Sequence, residues 1–486
     1  MKIILLNNKA DDRDRPSQKQ TVCPAKQTRK RARASAAAIL SMKRETRQAM
    51  ATAAQPARQN YSIRTVPSSS FHLRLLMWST ARMNLSALKS PPFRSYVVSL
   101  HIALNGFWAQ RVIMGWLAWE MTGSASFVGL VAFLNFVPTL FVSPLFGVVA
   151  DRIDVRLGSI CSYATAGTLS GIFAAISILG GLTPALLALF SLLTGTVSST
   201  NHPMRMSLTP RLAPARDLPS VVAITALNFN LSRLIGPVIG GFLIQSVGAP
   251  HAFAITAATY VAPVTAIFFM RPRERSAPTS AAGDGYLGEL LDGWRYALAR
   301  HHVRAAIVFA GIGALAGRSV LETLPILANG VFGQGPSGLG YMTAAAGAGA
   351  AAASTFLTIS KPQQAGIFGR HVLIMPVLIP LLVSALTIVS SFELAVAMVA
   401  LIGATVTLLA ISLQSIVQLA IEDHYRGRVM GLWTTISIGS GAAGAILMGL
   451  LIDLLGVVAA QLAIGLSLAG LSCLVLVRVS RWRLSE

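Results

Sequence analysis

The sequence predicts an all-α integral membrane protein: twelve transmembrane helices in two pseudo-symmetric six-helix bundles, with both termini in the cytoplasm. Three observations carry that expectation. The 486-residue chain is 53% hydrophobic and only 12% charged, with a mean hydropathy of +0.62. A soluble domain carries about 25% charged residues, so there is too little polar material here to cover a water-facing surface of this size. Apolar stretches of about 20 residues, each long enough for a ~30 Å hydrocarbon core, recur from Phe93 onward. Finally, a pattern of small residues in the first half returns 208 residues later.

Residues 1–93 read as a disordered basic N-terminal extension, rich in Arg, Lys, Ser and Gln and with no spanning apolar run. The run Met1–Leu6 stops at Asn7 and is too short for a signal-peptide core. An organellar transit peptide has the same composition. A start site set too early is the other reading, since Met83 opens an ordinary short N-terminus. The extension also explains the net charge of +22, because 18 of the 40 Lys and Arg lie in residues 1–92 against 4 of the acids. The basicity therefore belongs to a tail and gives no reason to expect a nucleic-acid partner. Cys23, Cys161 and Cys473 are far apart and show no metal-ligand spacing, so neither a disulfide framework nor a zinc site is expected.

The predicted spans are 95–120, 125–149, 157–179, 183–203, 219–246, 251–270, 304–329, 336–359, 370–390, 394–417, 429–452 and 457–477. The loops support them. Basic residues cluster in alternate loops, at Arg152 and Arg156, at Arg205, Arg211 and Arg216, through 271–304, at Lys361 and Arg370, and at Arg426 and Arg428. The intervening loops hold no Lys or Arg. The positive-inside rule then places both termini in the cytoplasm. The domain reading is a bundle over 94–270, a cytoplasmic connector over 271–303, a second bundle over 304–478 and a tail over 479–486. In the connector, Leu287, Leu290, Leu291, Trp294, Ala297 and Leu298 fall at helical spacing and predict a short amphipathic surface helix. The repeat joins Ser232, Gly236, Gly241, Ile244 and Gly248 to Ser440, Gly444, Gly449, Ile452 and Gly456. Two parallel halves facing a shared site are a transporter architecture.

Two segments carry recognisable patterns. The second-to-third loop reads Gly147-x3-Asp151-Arg152-x-Asp154-x-Arg156, and the fifth span reads Asn230-x2-Arg233-x2-Gly236-Pro237-x2-Gly240-Gly241. The first resembles motif A and the second motif C of the major facilitator superfamily. With Asn201–Arg205, Gly427–Gly431 and Gly317-Arg318-x3-Glu322-x2-Pro325, the chain over 94–478 is similar to the enterobactin-exporter-like, drug-efflux branch. Asp154 stands where motif A has its second glycine, and Val155 interrupts its basic pair. The resemblance implies the facilitator fold and a conformational latch at Gly147, Asp151, Arg152 and Arg156. It implies close helix packing with a bend at Gly236, Pro237, Gly240 and Gly241, and a secondary exporter of organic molecules, often proton-coupled.

Arginines inside spans cost about 2.5–3.5 kcal/mol each on insertion scales, and Arg111, Arg233 and Arg318 all fall near mid-membrane. By the family's pattern the first and seventh helices line a central cavity. Glu322, four residues after Arg318 and on the same face, is the acid farthest from a membrane edge. Two readings stand: Glu322 with Arg318 carries proton coupling, or the two form a permanent ion pair that holds the seventh helix to a neighbour. Arg111 could contact an anionic group on the substrate, and Arg233 beside Asn230 a conformational partner. Asn105, Trp108, Asn135 and Gln414 are candidate cavity residues, with interhelical hydrogen bonding and packing as the alternatives.

The function expected is alternating-access export of a small drug- or siderophore-like organic molecule by proton antiport, from a multi-pass protein of the inner membrane acting as a monomer. Its partners are the substrate, the proton and the lipid bilayer. The alternatives are an uptake carrier or facilitator, and a non-transporting membrane sensor. No Walker A pattern, clustered carboxylates or nucleophile–base set appears, so the chain is expected to be no enzyme and to need no cofactor or metal.

Overall fold

The structure, a computed structural model, describes residues 85–150, 153–272, 294–359, 369–422 and 425–483, and among these every regular element is helical. Helix α1 (Pro91–Thr122) opens on two prolines and closes at Gly123 in the left-handed region, φ 58°. Helices α2 (Ala125–Ala150) and α3 (Val155–Ile178) follow. Asp154 caps α3, its carboxylate accepting the backbone N–H groups of Arg156 at 2.8 Å and Leu157 at 3.4 Å. A cap at this position accounts for a carboxylate standing where motif A has glycine. Helix α4 (Pro184–Leu208) is capped by Thr183.

Helix α5 (Leu218–Ala258) consists of two helical segments that meet at Gly248, whose backbone is non-helical (φ 76°, ψ 160°), so a break does fall between 246 and 251; α6 (Val261–Phe269) follows. Helix α7 (His301–Glu322) ends earlier than expected, and Pro325 leads into a wide turn over Ile326–Val331. Pro325 offers no N–H to continue the helix. Helices α8 (Gly335–Ile359), α9 (Arg370–Ala385), α10 (Phe392–Ala420), α11 (Arg426–Leu455) and α12 (Val457–Arg483) complete the chain.

Seven helical stretches among the described residues are long and apolar enough to cross a membrane: Ala125–Ser143, Val155–Ile178, Ala215–Phe269, His301–Glu322, Phe392–Ala420, Arg428–Leu455 and Val457–Val479. One of them, Ala215–Phe269, takes in both α5 and α6. Helices α1, α4 and α8 are as long but dilute their apolar content with Asn, His, Arg, Ser, Thr and Gly, and α9 is short. Of the connector helix, Leu287, Leu290 and Leu291 lie outside the described residues. Residues 294–299 are helical, with Ala297 buried and Trp294 and Leu298 exposed.

The repeat in the sequence is a repeat in packing. Helix α1 packs along α5 as α7 does along α11, α2 along α4 as α8 along α10, and α2 meets α11 as α8 meets α5. The paired glycines occupy matching seams. A Cβ on Gly236 would meet the carbonyl of Asn105 on α1 at 2.9 Å, and one on Gly444 that of Leu315 on α7 at 2.6 Å. Gly241 faces Pro336 O at the start of α8, and Gly449 faces Ala125 O at the start of α2. Gly248 and Gly456 share an almost identical left-handed backbone, φ 76° ψ 160° and φ 81° ψ 164°. Side-chain-bearing residues rarely adopt it.

Three clusters of buried side chains divide the molecule by height. At the arginine-poor end one cluster joins both halves of the chain, from Trp116, Val128 and Phe253 to Leu324, Leu339 and Ile452. At the arginine-rich end the core is split. One cluster contains residues up to Met270, among them Phe93, Tyr96 and Leu208, and the other contains residues from Ala297 onward, among them Phe309, Ile416 and Trp433. Asp453 adds a polar tie at the joined end. Its carboxylate accepts Ala125 N at 2.8 Å, Ser126 N at 2.9 Å and Ser124 Oγ at 2.7 Å, and also bonds Ser126 Oγ. The α11 carboxylate thus caps the N-terminus of α2, where it complements the helix dipole.

Candidate functional site: a cationic central cavity

A cavity of about 590 Å³ lies between the two halves, lined by residues of α1–α5, α7, α8, α10 and α11. This volume is in the usual range for small-molecule sites, about 300–1,000 Å³. Trp108, Arg111, Asn135, Arg233, Arg318 and Glu322 all line it, so six candidates scattered over 215 residues converge on one space.

The pairing of the charges differs from what helical spacing suggests. Glu322 accepts two hydrogen bonds from Arg111 Nη2, at 2.9 and 2.7 Å. Its same-helix neighbour Arg318 is farther, at 4.0 Å. The main ion pair therefore runs from α1 to α7, between the two halves of the chain, with side chains only 17% and 16% exposed. Arg111 lies over the rings of Trp108 and Phe136, 5.5 and 4.6 Å from their centroids. Arg233 shares the Trp108 ring at 5.8 Å, and Arg318 shares Phe136 at 4.7 Å. Three guanidinium groups thus surround two aromatic rings.

The remaining candidates separate by role. Asn105 does not line the cavity. Its amide donates to the carbonyl of His101 at 2.9 Å and is 3.4 Å from Ser232 Oγ. Asn228 donates to Val97 O at 3.1 Å and meets His101 Nδ1 at 2.6 Å, so it is Asn228 rather than Asn230 that binds α5 to α1. Asn230 and Gln414 are half-buried and away from the cavity. Gly236 and Gly240 seat α5 on α1, a Cβ on Gly240 falling 2.8 Å from Ala109 O, while Gly241 and Pro237 face Gly340 on α8. Asp151 and Arg152 of the loop motif lie outside the described residues, and Gly147 lies in the last turns of α2. Arg156 donates to the last carbonyls of α6, Ile267 O at 3.2 Å and Phe268 O. It acts on the C-terminal end of that helix, where a cation is favoured.

Asn201, His202, Arg205 and Phe229 also line the cavity, although the sequence reading does not place them there. Arg205 sorted with the loop cations, but α4 continues to Leu208 and carries it into the wall, 5.6 Å from the Phe229 centroid. Its place in the Asn201–Arg205 segment is the one signal of this in the sequence. Among the described residues no group of three or more His, Cys, Asp or Glu could hold a metal ion.

Comparison with known proteins agrees with this architecture. The family model described as transmembrane secretion effector matches residues 83–485. The enterobactin exporter EntS of Escherichia coli O1:K1 is 28% identical over 426 residues, covering 82% of this chain and 96% of that protein. EntS of Escherichia coli O157:H7 is 27% identical over the same length and share. Among solved structures, a bacterial homologue of the human lysosomal transporter Spinster, inward-facing and occupied, aligns with a TM-score of 0.63 at 14% identity, over 81% of this chain and 98% of its own. A mutant of the nucleoside transporter NupG aligns at 0.61 and 14%, over 80% and 98%. At such identities the structures speak for the fold alone.

Proposed function

Since the chain belongs to the transmembrane secretion effector family of the major facilitator superfamily, and is a multi-pass inner-membrane transport protein, we propose that it is a secondary exporter working by alternating access. The carried molecule is a small organic compound of drug or siderophore type, a reading favoured by the resemblance to enterobactin exporters. One observation carries the mechanism. A cavity with charged side chains in its wall sits at the seam of the repeat, beneath a core that both halves share at one end, while at the other end each half keeps a core of its own. Two bodies joined on one side of a site and separate on the other are what rocking requires.

In this reading the helices make twelve crossings, in bundles over 94–270 and 304–478, with α5 counted as two segments about Gly248 and α6 continuing the second. The arginine-rich end and both termini face the cytoplasm, so the separated cores open the cavity inward. The chain acts as a monomer, in exchange for protons. The coupling group is Glu322, the carboxylate held by Arg111 and approached by Arg318. Protonation of Glu322 releases Arg111, and with it the α1–α7 tie between the halves. Loss of that proton to the other side restores the tie.

Reconstituted protein tests the proposal. In proteoliposomes with an imposed pH gradient, enterobactin and aromatic drugs are expected to move against proton flow. Glu322→Gln should abolish gradient-driven flux while leaving substrate exchange. Unchanged gradient-driven flux in that variant would remove Glu322 from the mechanism.

A further inference from the structure

We propose that the cavity selects an organic dianion with an aromatic body, held by Arg233 and Arg318 beside the rings of Trp108 and Phe136. The proposal rests on the exporter reading of this site and names its substrate class.

The charges make the argument. Arg111, Arg205, Arg233 and Arg318 line the cavity, and Glu322 is the one carboxylate among the described lining residues. Glu322 is committed to Arg111 through two hydrogen bonds at 2.7 and 2.9 Å. Arg318 stands 4.0 Å from that occupied carboxylate. Arg233 makes no ion pair among the described residues and is left over the Trp108 ring. Like charges sharing two rings in a partly desolvated space repel strongly, and unpaired guanidinium groups at this depth are costly. A protein retains such groups where a counter-ion comes and goes. The indole N–H of Trp108 is likewise buried with no acceptor among the described residues. Apart from Arg205, which lies over Phe229, the unpaired guanidinium of Arg233, that of Arg318 at 4.0 Å from a carboxylate already engaged by Arg111, and one idle donor ask for acceptor oxygens with two negative charges. The rings of Trp108 and Phe136 line the same space and offer apolar contact to an aromatic body. A cation would add to the repulsion, and a neutral molecule would leave it unrelieved.

The test uses purified protein in a neutral detergent and two probes of one shape, naphthalene dicarboxylate and naphthalene dicarboxamide, titrated calorimetrically. The dicarboxylate should bind at least about tenfold more tightly, a difference of about 1.4 kcal/mol. Arg233→Gln should lose about that factor and Arg233→Lys much less, with size-exclusion and melting profiles confirming that both variants fold; Arg318→Gln serves if Arg233→Gln does not. Equal binding of the two probes, no binding of the dicarboxylate, or a dicarboxylate affinity untouched in Arg233→Gln would each overturn the proposal. Repeating the titration with phosphatidylglycerol replacing phosphatidylcholine in mixed micelles separates a soluble anion from a lipid headgroup. Loss of dicarboxylate binding there would assign the site to the lipid and overturn the soluble anion, and an unchanged affinity would support it. Proteoliposome flux keeps the two readings apart. Charge-dependent binding without flux would sink the exporter and leave this inference standing, whereas flux of the diamide indifferent to Arg233 would do the reverse.

Discussion

Glu322 faces two arginines from different elements, and its closer partner is 211 residues away in sequence. Removing one member of such a pair strands the other in a poorly hydrated place, which costs more than removing both. Arg111→Gln and Glu322→Gln are each expected to lower the melting temperature of the solubilised protein. The double substitution should destabilise it less than the sum of the singles, with a coupling of about 1–3 kcal/mol. Strict additivity would show that the bond across the seam contributes nothing. The same logic separates neighbouring asparagines. Asn228 and the amide N–H groups of Asn105 are engaged by His101, Ser232 and the α1 backbone, while Asn135 lines the cavity and donates to Thr194 Oγ1 at 3.3 Å.

Helix ends and helix seams set the next level. Helix α2 has no acid in its first turn and takes its cap from Asp453 on α11. Asp453→Asn removes the charge facing the α2 dipole, and a cap of this kind is worth about 1 kcal/mol. The variant should favour separation at the arginine-poor end, read as faster alkylation of a cysteine placed at Ser126; unchanged alkylation would count against a tie that holds the conformation. Along the α1–α5 seam, a side chain at Gly240 would run into the backbone of Ala109 at 2.8 Å, a neighbour that cannot rotate away. Gly240→Val should cost about 1–3 kcal/mol through overpacking, measured as a fall in melting temperature, whereas the same change at Gly171, which has open space around it, should be mild.

For the molecule as a whole, the division of the core predicts which end must open. Ser126 and Asp453 touch across the joined end, so a protein with Ser126→Cys and Asp453→Cys should form a disulfide on oxidation and lose substrate flux. Reduction should restore flux. Transport that persists with the crosslink intact would mean that the halves do not separate there, and the alternating-access reading would fail.

Hydropathy, the alternation of basic loops and the 208-residue repeat were enough to specify a helical membrane protein with equivalent halves. Each is a one-dimensional signal imposed by lipid, which demands apolar length and satisfied backbone. The membrane-depth arginines and Glu322 were legible for a related reason, because charge is expensive there and stands out against its surroundings. What spacing could not supply was partnership. It made Arg318 the neighbour of Glu322, yet Arg111 is closer, because a helix dictates which residues share a face and not what the opposing helix brings to it. Arg205 in the cavity wall, Asn228 on His101 and Asp453 on the α2 terminus arise in the same way. The chain alone determined its elements and the residues that had to be explained. Only the packing of α1 against α5, α2 against α11 and α7 across the cavity decided which charges neutralise one another and which are left for a ligand.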